Sequence, residues 1–558
     1  MLHNQIQMIY PKIPLAQTII EICRQKGVQH IVISPGSRNA PLTIGFANHP
    51  YFTCYSIADE RCAAFFALGI AQQKQETVAV ICTSGSALLN YYPAFAEAFY
   101  SQIPLVVISA DRPQSKIDIG DGQTIRQENV FENHSLFNAN LTENNSIQND
   151  LLINQALDKA TNFKGPVHIN APFEEPLYQT IELLEVQPKI ENTSPQSTPT
   201  YPWKEEAQAW NNATKKLVII GGLMPNAINQ KWLNLLMEDP SVVVMTEVTS
   251  NVHHPKFITN IDTIITPFNE EDFVAFQPDL LLTMGGMIVS KRIKSFLRTH
   301  QPKAHWHADP LRAYDTFGCL SQHFCIAPNQ FLESLLPLSS HQQSDYQQVA
   351  DKIIQHRKQK HTEYLAKIPF SDFKAFELIL SQLPPNIQLQ VSNSSPIRYA
   401  QLFPIHPSIE VFCNRGTSGI DGSTSTAIGA ATTTQKPTVL ITGDIGFLYD
   451  SNALWNQYIP KNFKIILINN GGGGIFRILP GHQETPVFNQ YFETSHCLTA
   501  QHLAAMYGLQ YHTASTTETL HEALQACFQS DQQATILKVF TPTRQNDSIL
   551  LDYFKNLQ

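Results

Sequence analysis

The 558-residue sequence predicts an α/β fold of three doubly wound lobes built on mainly parallel sheets. Three observations predict it. Short β-branched apolar runs recur without alternation along the whole chain. A loop of small or polar residues and then a helical pattern follow each run. Two polar stretches cut the chain into thirds of similar size. Strands covered on both faces read as continuous apolar runs, and the helices between them supply the crossovers that parallel pairing requires.

Taken in order, the first third offers HIVIS before PGSRNAP, TVAVICT before SGSALLNYYPAFAEAF, and IPLVVIS before ADRP. The Pro-, Ser- and Thr-rich stretch from Val186 to Trp203 reads as a linker. The middle third offers KKLVIIGG, SVVVMTE and DLLLTMGG, and PLSSHQQSDYQQ (Pro337 to Gln348) reads as a second linker. The last third offers IQLQVSNSS, EVFCNRGTSGIDG, TVLITGDIG and FKIILINNGG. The expected domains are 1–186, 204–336 and 349–558. The first and last thirds echo one another in a strand, a polar loop with an arginine, and a Gly/Ser loop opening an Ala-rich helix. They read as two related lobes.

Composition excludes several classes of function. Charged residues make up 15% and the net charge is −9, so nothing draws the chain to nucleic acid or anionic membrane. No apolar run approaches the ~18 residues of a membrane span. The N-terminal stretch MLHNQIQMIYPKIPLAQ lacks a cationic start and a long apolar core, so no signal peptide is expected. Nine cysteines without a CxxC pair suggest reduced thiols and a cytoplasmic location, with no structural zinc.

LINNGGGGIF (467–476) holds the strongest chemical signal, because four successive glycines forfeit side-chain packing and lose the most backbone freedom. Upstream, TVLITGDIGFLYD sets Asp444 at a strand end, and Asn470 follows after 26 residues, the length of one strand-loop-helix-strand unit. Asp444 and Asn470 therefore fall on adjacent strand ends, where ligands bind in open α/β sheets. A carboxylate, an amide oxygen and a backbone carbonyl are hard oxygen ligands that suit Mg²⁺, which borrows further oxygens from phosphates. Bare amides around Gly446 and Gly471 to Gly474 admit phosphate oxygens closely. Either dipeptide alone, GD or NN, is equally a turn signal. Neither GxxxxGK[ST] nor a strand-borne GxGxxG is present.

GDIG…NN resembles the metal-diphosphate signature of thiamine-diphosphate enzymes, and ADERCAAFFALGIA supplies a matching first-lobe glutamate, Glu60. SPGSRNAPL (34–42), TSGSALLNYYPA (83–94), SADRP (109–113), GQTIRQ (122–127) and CNRGTSGIDG (413–422) narrow the resemblance, with a weaker match at SKR (290–292). Together they resemble the MenD family, the thiamine-diphosphate-dependent carboligases of menaquinone biosynthesis. The resemblance implies the thiamine-diphosphate-binding fold, with a pyrimidine-binding, a central and a diphosphate-binding domain. It also implies thiamine diphosphate with Mg²⁺ or Mn²⁺, decarboxylation of 2-oxoglutarate, and 1,4-addition of the resulting carbanion to isochorismate. Other readings are another 2-oxoacid decarboxylase or carboligase, such as an acetohydroxyacid synthase, or a non-catalytic regulator that keeps the fold.

By the same resemblance, Glu60 bonds the cofactor's aminopyrimidine and favours its imino form; from position alone it could be a helix-dipole acid, as could Asp59. Ile420 wedges beneath the cofactor, though it could equally plug the core. Asp444, Ile445, Gly446, Asn470, Gly472, Ile475 and Phe476 hold the cofactor, with Asp444, Asn470 and the Gly472 carbonyl on the metal. The two substrates carry four carboxylates, which arginine's fork matches bidentately. Arg398 and Arg415 hold the 2-oxoglutarate side and are counted with Glu60 as catalytic. Ser37, Arg38, Arg112, Gln123, Lys291 and Arg292 face isochorismate, and Ser394 lies between. A homodimer or homotetramer with active sites at subunit interfaces is implied, with no nucleic-acid or membrane partner. Gly122 stands where the family often has Asn, and Asn39-Ala40 where Ser-Thr is common. His134, His482 and His496 are candidate acid/base groups, for which surface or loop roles are expected.

Overall fold

The computed structural model describes residues 8–144, 146–192, 199–479, 481, 483–529 and 532–558. His482, residues 193–198 of the first expected linker and residues 1–7 of the N-terminal stretch lie outside the described residues.

Three parallel sheets carry the chain, as the apolar runs predict. The first holds β1 (His30–Ile33), β2 (Thr53–Ser56), β3 (Val78–Cys82), β4 (Leu105–Asp111), β5 (Asn138–Asn140) and β6 (Val167–Pro172), in the order β2-β1-β3-β4-β6-β5. The second holds β7 (Lys216–Ile220), β8 (Val242–Thr246), β9 (Leu280–Met284), β10 (Ala304–Ala308) and β11 (Leu320–Phe324), in the order β8-β7-β9-β10-β11. The third holds β12 (Gln388–Val391), β13 (Glu410–Phe412), β14 (Thr438–Gly443), β15 (Phe463–Asn469), β16 (Gln510–Ala514) and β17 (Thr535–Phe540), in the order β13-β12-β14-β15-β17-β16. The first and third orders are the same, so the sequence echo between the outer thirds extends to topology. Central strands such as β3 and β7 are buried at every residue, which explains their unbroken apolar character. An antiparallel pair, Tyr10–Pro11 with Thr180–Ile181, ties the start of the described chain to residues after β6.

The helices that bear on the site are α1 (Glu60–Lys74), α2 (Tyr92–Ser101), α3 (Lys291–Thr299), α4 (Tyr346–Leu365), α5 (Asp372–Ser381), α6 (Ser395–Ala400), α7 (Ser423–Ala431), α8 (Asp444–Tyr449) and α9 (Asn546–Asn556). The sequence suggests one apolar face on α1, but every residue from Cys62 to Ala71 is buried. The cause is α7. A Cβ on Gly69 would lie 2.1 Å from the Thr426 carbonyl oxygen, and one on Gly429 would lie 2.0 Å from that of Phe66. Glycine at both places lets the two helix backbones touch. The second polar stretch does not remain irregular to Gln348 either. Helix α4 begins at Tyr346, whose hydroxyl donates to the Phe276 carbonyl (2.8 Å) and whose ring is buried.

By packing, the described chain forms two bodies. One comprises residues up to 195 with 414–436 and 446–463. The other comprises 196–413, 437–445 and 464–558. Segments of the last third, including α7, thus belong to the first body.

Candidate active site

In the second body, β14 delivers Asp444 to its carboxyl end and β15 delivers Asn470. Asp444 is buried. Its Oδ1 accepts from the Ile445 amide (2.8 Å), and its Oδ2 accepts from the amides of Gly471 (2.9 Å) and Gly472 (3.2 Å). Burial pushes its pKa up, while these donors and nearby His496 pull it down. A carboxylate has about four lone-pair sites, so one remains for a further partner. Asn470 donates Nδ2 to Asp372 Oδ2 (2.9 Å), which leaves Oδ1 on the other side of the amide. Asp372 is itself buried, and burial pushes its pKa up to about 6.

The glycine loop lies under the segment 493–496. The Gly473 amide donates to the Glu493 carbonyl (2.6 Å), and the His496 amide donates to the Gly471 carbonyl (3.1 Å). A Cβ on Gly472 would approach that Glu493 carbonyl to 2.8 Å, so a side chain is excluded there. Buried Arg477 holds the Glu493 carboxylate with Nε and Nη2. His496 lies in a loop, as expected, but its side chain is largely buried. Its side chain is 11% exposed, and Nε2 lies 3.4 Å from Asp444 Oδ2, misaligned for a hydrogen bond and without another partner among the described residues. His134 instead meets the Tyr92 hydroxyl through Nδ1 (3.0 Å).

The donors at this spot fit a hard divalent cation that carries a diphosphate. All three candidates are oxygens: the Asp444 carboxylate, Asn470 Oδ1 and the Gly472 carbonyl. The orphaned His496 Nε2 adds a buried polar atom that faces the same carboxylate. Among the described residues, no group of three or more His, Cys, Asp and Glu side chains could hold a metal alone.

Elsewhere in the second body, Lys291 and Arg292 open α3 and are exposed. Ser290 caps that helix, its hydroxyl accepting from the Ile293 amide (3.2 Å) and donating to Asp262. Burial raises the Asp262 pKa, and the charges of Arg292 and Arg398 oppose that rise. One partly buried carboxylate thus lies within electrostatic reach of two of the expected substrate arginines. Glu247 accepts from the Val289 and Ser290 amides, which fixes the approach to α3. Ser394, with φ +72°, turns the chain into α6, which carries Arg398. Phe476 lines an apolar cavity of about 470 Å³ with Leu479, Val487, Phe488 and Phe492, and Ile475 beside it is partly buried.

In the first body, Ser37 and Arg38 follow β1, and Arg112 follows β4. Ser37 is exposed. Arg38 is 3% exposed, contrary to the solvated setting usual for loop arginines, and donates to the Phe173 carbonyl (2.9 Å) and Glu175 Oε1 (3.3 Å). Arg112 Nε donates to the Gly122 carbonyl (2.9 Å), so the glycine in place of Asn still contributes its backbone. Gln123 is exposed with φ +55°, and its backbone packs where a Cβ on Gly85 would lie. Gln127 anchors this loop. Its Oε1 accepts from the Gly85 amide (2.8 Å), and its Nε2 donates to Asn170 Oδ1 (2.9 Å). Asn39 staples its own loop by donating Nδ2 to the Ser34 carbonyl (3.0 Å).

Glu60 is the first residue of α1, and Asp59 is the cap, accepting from the Cys62 amide (3.0 Å). Burial raises the Tyr91 hydroxyl's pKa, and the Glu60 charge adds to that rise. Arg415 and Ile420 are partly buried in the loop before α7. Buried Glu97 of α2 organises that loop by accepting from the Gly416 amide (2.7 Å), the Thr417 amide (2.6 Å) and the Thr417 hydroxyl (2.8 Å). Gly446, also buried, opens the 446–463 segment of this body. The roles of Glu97, Asp262 and Asp372 have no local sequence signal, because each acts on residues far away in the chain, whereas Gln127 closes the GQTIRQ motif.

Three family models match. Residues 13–135 match the N-terminal TPP binding domain of thiamine pyrophosphate enzymes, 185–391 the middle domain, and 394–539 the C-terminal TPP binding domain. The chain is 67% identical over 550 residues to the 2-succinyl-5-enolpyruvyl-6-hydroxy-3-cyclohexene-1-carboxylate synthase of Flavobacterium psychrophilum, covering 99% of this chain and 100% of the relative. It is 66% identical to the protein of the same name from Flavobacterium johnsoniae (99% and 100% covered) and 51% identical to that from Christiangramia forsetii (98% and 99%). With these matches over its whole length, the chain belongs to the 2-succinyl-5-enolpyruvyl-6-hydroxy-3-cyclohexene-1-carboxylate synthase family of thiamine-diphosphate-dependent enzymes.

Proposed function

We propose that the protein decarboxylates 2-oxoglutarate and adds the remaining four-carbon unit, in a 1,4-addition, to isochorismate. The product is 2-succinyl-5-enolpyruvyl-6-hydroxy-3-cyclohexene-1-carboxylate, an intermediate of menaquinone biosynthesis. The observation that carries this reading is the 51–67% identity, over nearly the whole chain, to synthases of that name. Thiamine diphosphate, when bound, supplies the nucleophilic carbon and the electron sink.

This chain's residues bind, orient and move protons. Asp444, Asn470 Oδ1 and the Gly472 carbonyl hold Mg²⁺ or Mn²⁺, and Ile445 and Gly446 lie against the diphosphate, the Ile445 amide being taken by Asp444. Glu60 bonds the aminopyrimidine and holds the proton that sets its tautomer. Ile420, Ile475 and Phe476 form apolar walls. Arg398 and Arg415 bind the 2-oxoglutarate carboxylates, with Ser394 beside them. Ser37, Arg38, Arg112, Gln123, Lys291 and Arg292 receive isochorismate. A cationic pocket on a chain of net charge −9 focuses dianionic substrates.

The proposed assembly is a homodimer or homotetramer with active sites at subunit interfaces. The proposed location is the cytoplasm, supported by nine cysteines that are all free. Among the described residues, no helix is long and apolar enough to cross a membrane. Turnover of 2-oxoglutarate with isochorismate, set against pyruvate or 2-oxobutyrate as acceptor, tests the function. Product formation is expected with isochorismate alone, and equal or better use of a small 2-oxoacid would refute the reading.

A further inference from the structure

Asp372 is the first residue of α5, and Ser371 caps that helix by accepting from the Lys374 amide (3.3 Å). The side chain is buried, and each of its oxygens has its own partner. Oδ2 accepts from Asn470 Nδ2 (2.9 Å), and Oδ1 accepts from the Thr541 hydroxyl (2.5 Å). The backbone amide donates to Asn546 Oδ1 (2.8 Å). Three elements therefore fix this carboxylate: the start of α5, the residue after β17, and the start of α9. Thr541 also donates its own amide to the Asn469 carbonyl (3.1 Å), next to the residue that Asp372 holds.

A carboxamide keeps its shape when turned over, but the turn exchanges an acceptor for a donor. An ionised carboxylate only accepts, so Asp372 admits the nitrogen of Asn470 and refuses the oxygen. We propose that Asp372 is a positioning residue that selects the amide orientation of Asn470, keeping Oδ1 available to a divalent cation. The proposal rests on Asp444, Asn470 and Gly472 being the metal site. Partners of this kind, acting through a ligand, typically alter metal affinity by about 10–100-fold. A tie between α5 and the third sheet is the competing role; it would lower stability and leave metal affinity alone.

Mn²⁺ is the probe, titrated into the full chain at saturating thiamine diphosphate and read as free ion by electron paramagnetic resonance. Melting of the metal-free chain is read in parallel. Asp372→Ala should raise the Mn²⁺ dissociation constant by about 10–100-fold. Asp372→Asn should stay within a few fold of wild type, because its carbonyl can accept from Asn470 while its amide donates to Thr541. In an Asn470→Ala background, Asp372→Ala should cost no further affinity, since its effect runs through Asn470. A folded Asp372→Ala chain with wild-type affinity overturns the proposal, as does an equal loss in the Asn470→Ala background or no rescue by Asn. If Asp372→Ala gives no cooperative melt, Asp372→Ser takes its place in the same cycle. Unchanged affinity in both Asp444→Ala and Asn470→Ala would overturn the metal site itself, and this inference with it.

Discussion

The first and third sheets share one strand order and carry different chemistry on equivalent strands. The third strand of the first sheet, β3, ends at Cys82 and runs into TSGSA. Its counterpart β14 ends at Gly443 and delivers Asp444. The fourth strand, β4, ends at Asp111 and delivers Arg112, whereas β15 ends at Asn469 and delivers Asn470. Topology fixes where a residue can act, and the residue at each strand end decides what it does there. Oxygen donors at the third sheet suit a divalent cation, but the amides of Gly471 to Gly474 are not free for phosphate as expected, since they donate to Asp444, the Glu493 carbonyl and the Gly472 carbonyl. Arginine, serine and glutamine at the first suit an anionic substrate, and the proposed proton group, Glu60, opens α1 of the same lobe.

The buried acids sharpen the contrast. Asp444 receives three backbone amides and has one lone-pair site left. Asp450, in the first body, accepts from the Ser425 amide (2.7 Å) and hydroxyl (2.8 Å) and from Cys62 Sγ (3.5 Å). It binds the start of α7 to α1, and burial pushes its pKa up to about 7. The first carboxylate keeps one acceptor site open, and the second holds the frame that carries Glu60.

If the outer lobes divide the labour in this way, breaking the proton group should have the largest effect on rate. Glu60→Gln should cut turnover by about 10²–10⁴-fold, the usual contribution of a positioned acid or base, because an amide cannot favour the imino tautomer. Steady-state kinetics at saturating cofactor reads this.

Next come the substrate cations. Arg415→Ala should slow the first half-reaction with 2-oxoglutarate by about 10–100-fold, the loss of one charge-assisted contact of roughly 1.5–3 kcal/mol. Arg38→Ala should leave that step nearly normal and raise the KM for isochorismate. It should also lower the melting temperature, since Arg38 is bonded to Phe173 and Glu175. Stopped-flow spectroscopy with and without isochorismate separates the steps. An equal block of the first half-reaction by both variants breaks the division of substrates.

The smallest effect concerns Asp450. Between its ordinary pKa of 3.8 and about 7, the folded chain holds a proton that the unfolded chain has released. Its contribution to stability therefore falls as pH rises through that window. Asp450→Asn should flatten this part of the melting profile, and parallel wild-type and variant profiles would contradict it.

The sheets were legible because unbroken apolar runs mark strands covered on both faces. The strands absent from that reading include short or polar ones: TCYS of β2 and NAN of β5 lie at or beside sheet edges, where exposure removes the apolar signal. Asp444 and Asn470 were legible because one crossover unit fixes their spacing. Asp372 was not, being 98 residues from Asn470 in the chain and looking locally like an ordinary first-turn acid. Glu97 likewise reads as a surface residue of an Ala-rich helix, yet it is buried and holds the loop of Arg415 and Ile420. The burial of α1 on every side was also hidden, because the glycines that allow it lie far apart in the chain, at Gly69 and Gly429.

The division between the outer lobes is tested most directly by titrating thiamine diphosphate with Mg²⁺ into wild type, Asp444→Ala and Glu60→Gln by calorimetry. Asp444→Ala, though folded, should lose Mg²⁺-dependent binding, and Glu60→Gln should bind nearly as wild type does. Wild-type affinity in Asp444→Ala, or an equal loss in both variants, would contradict that division.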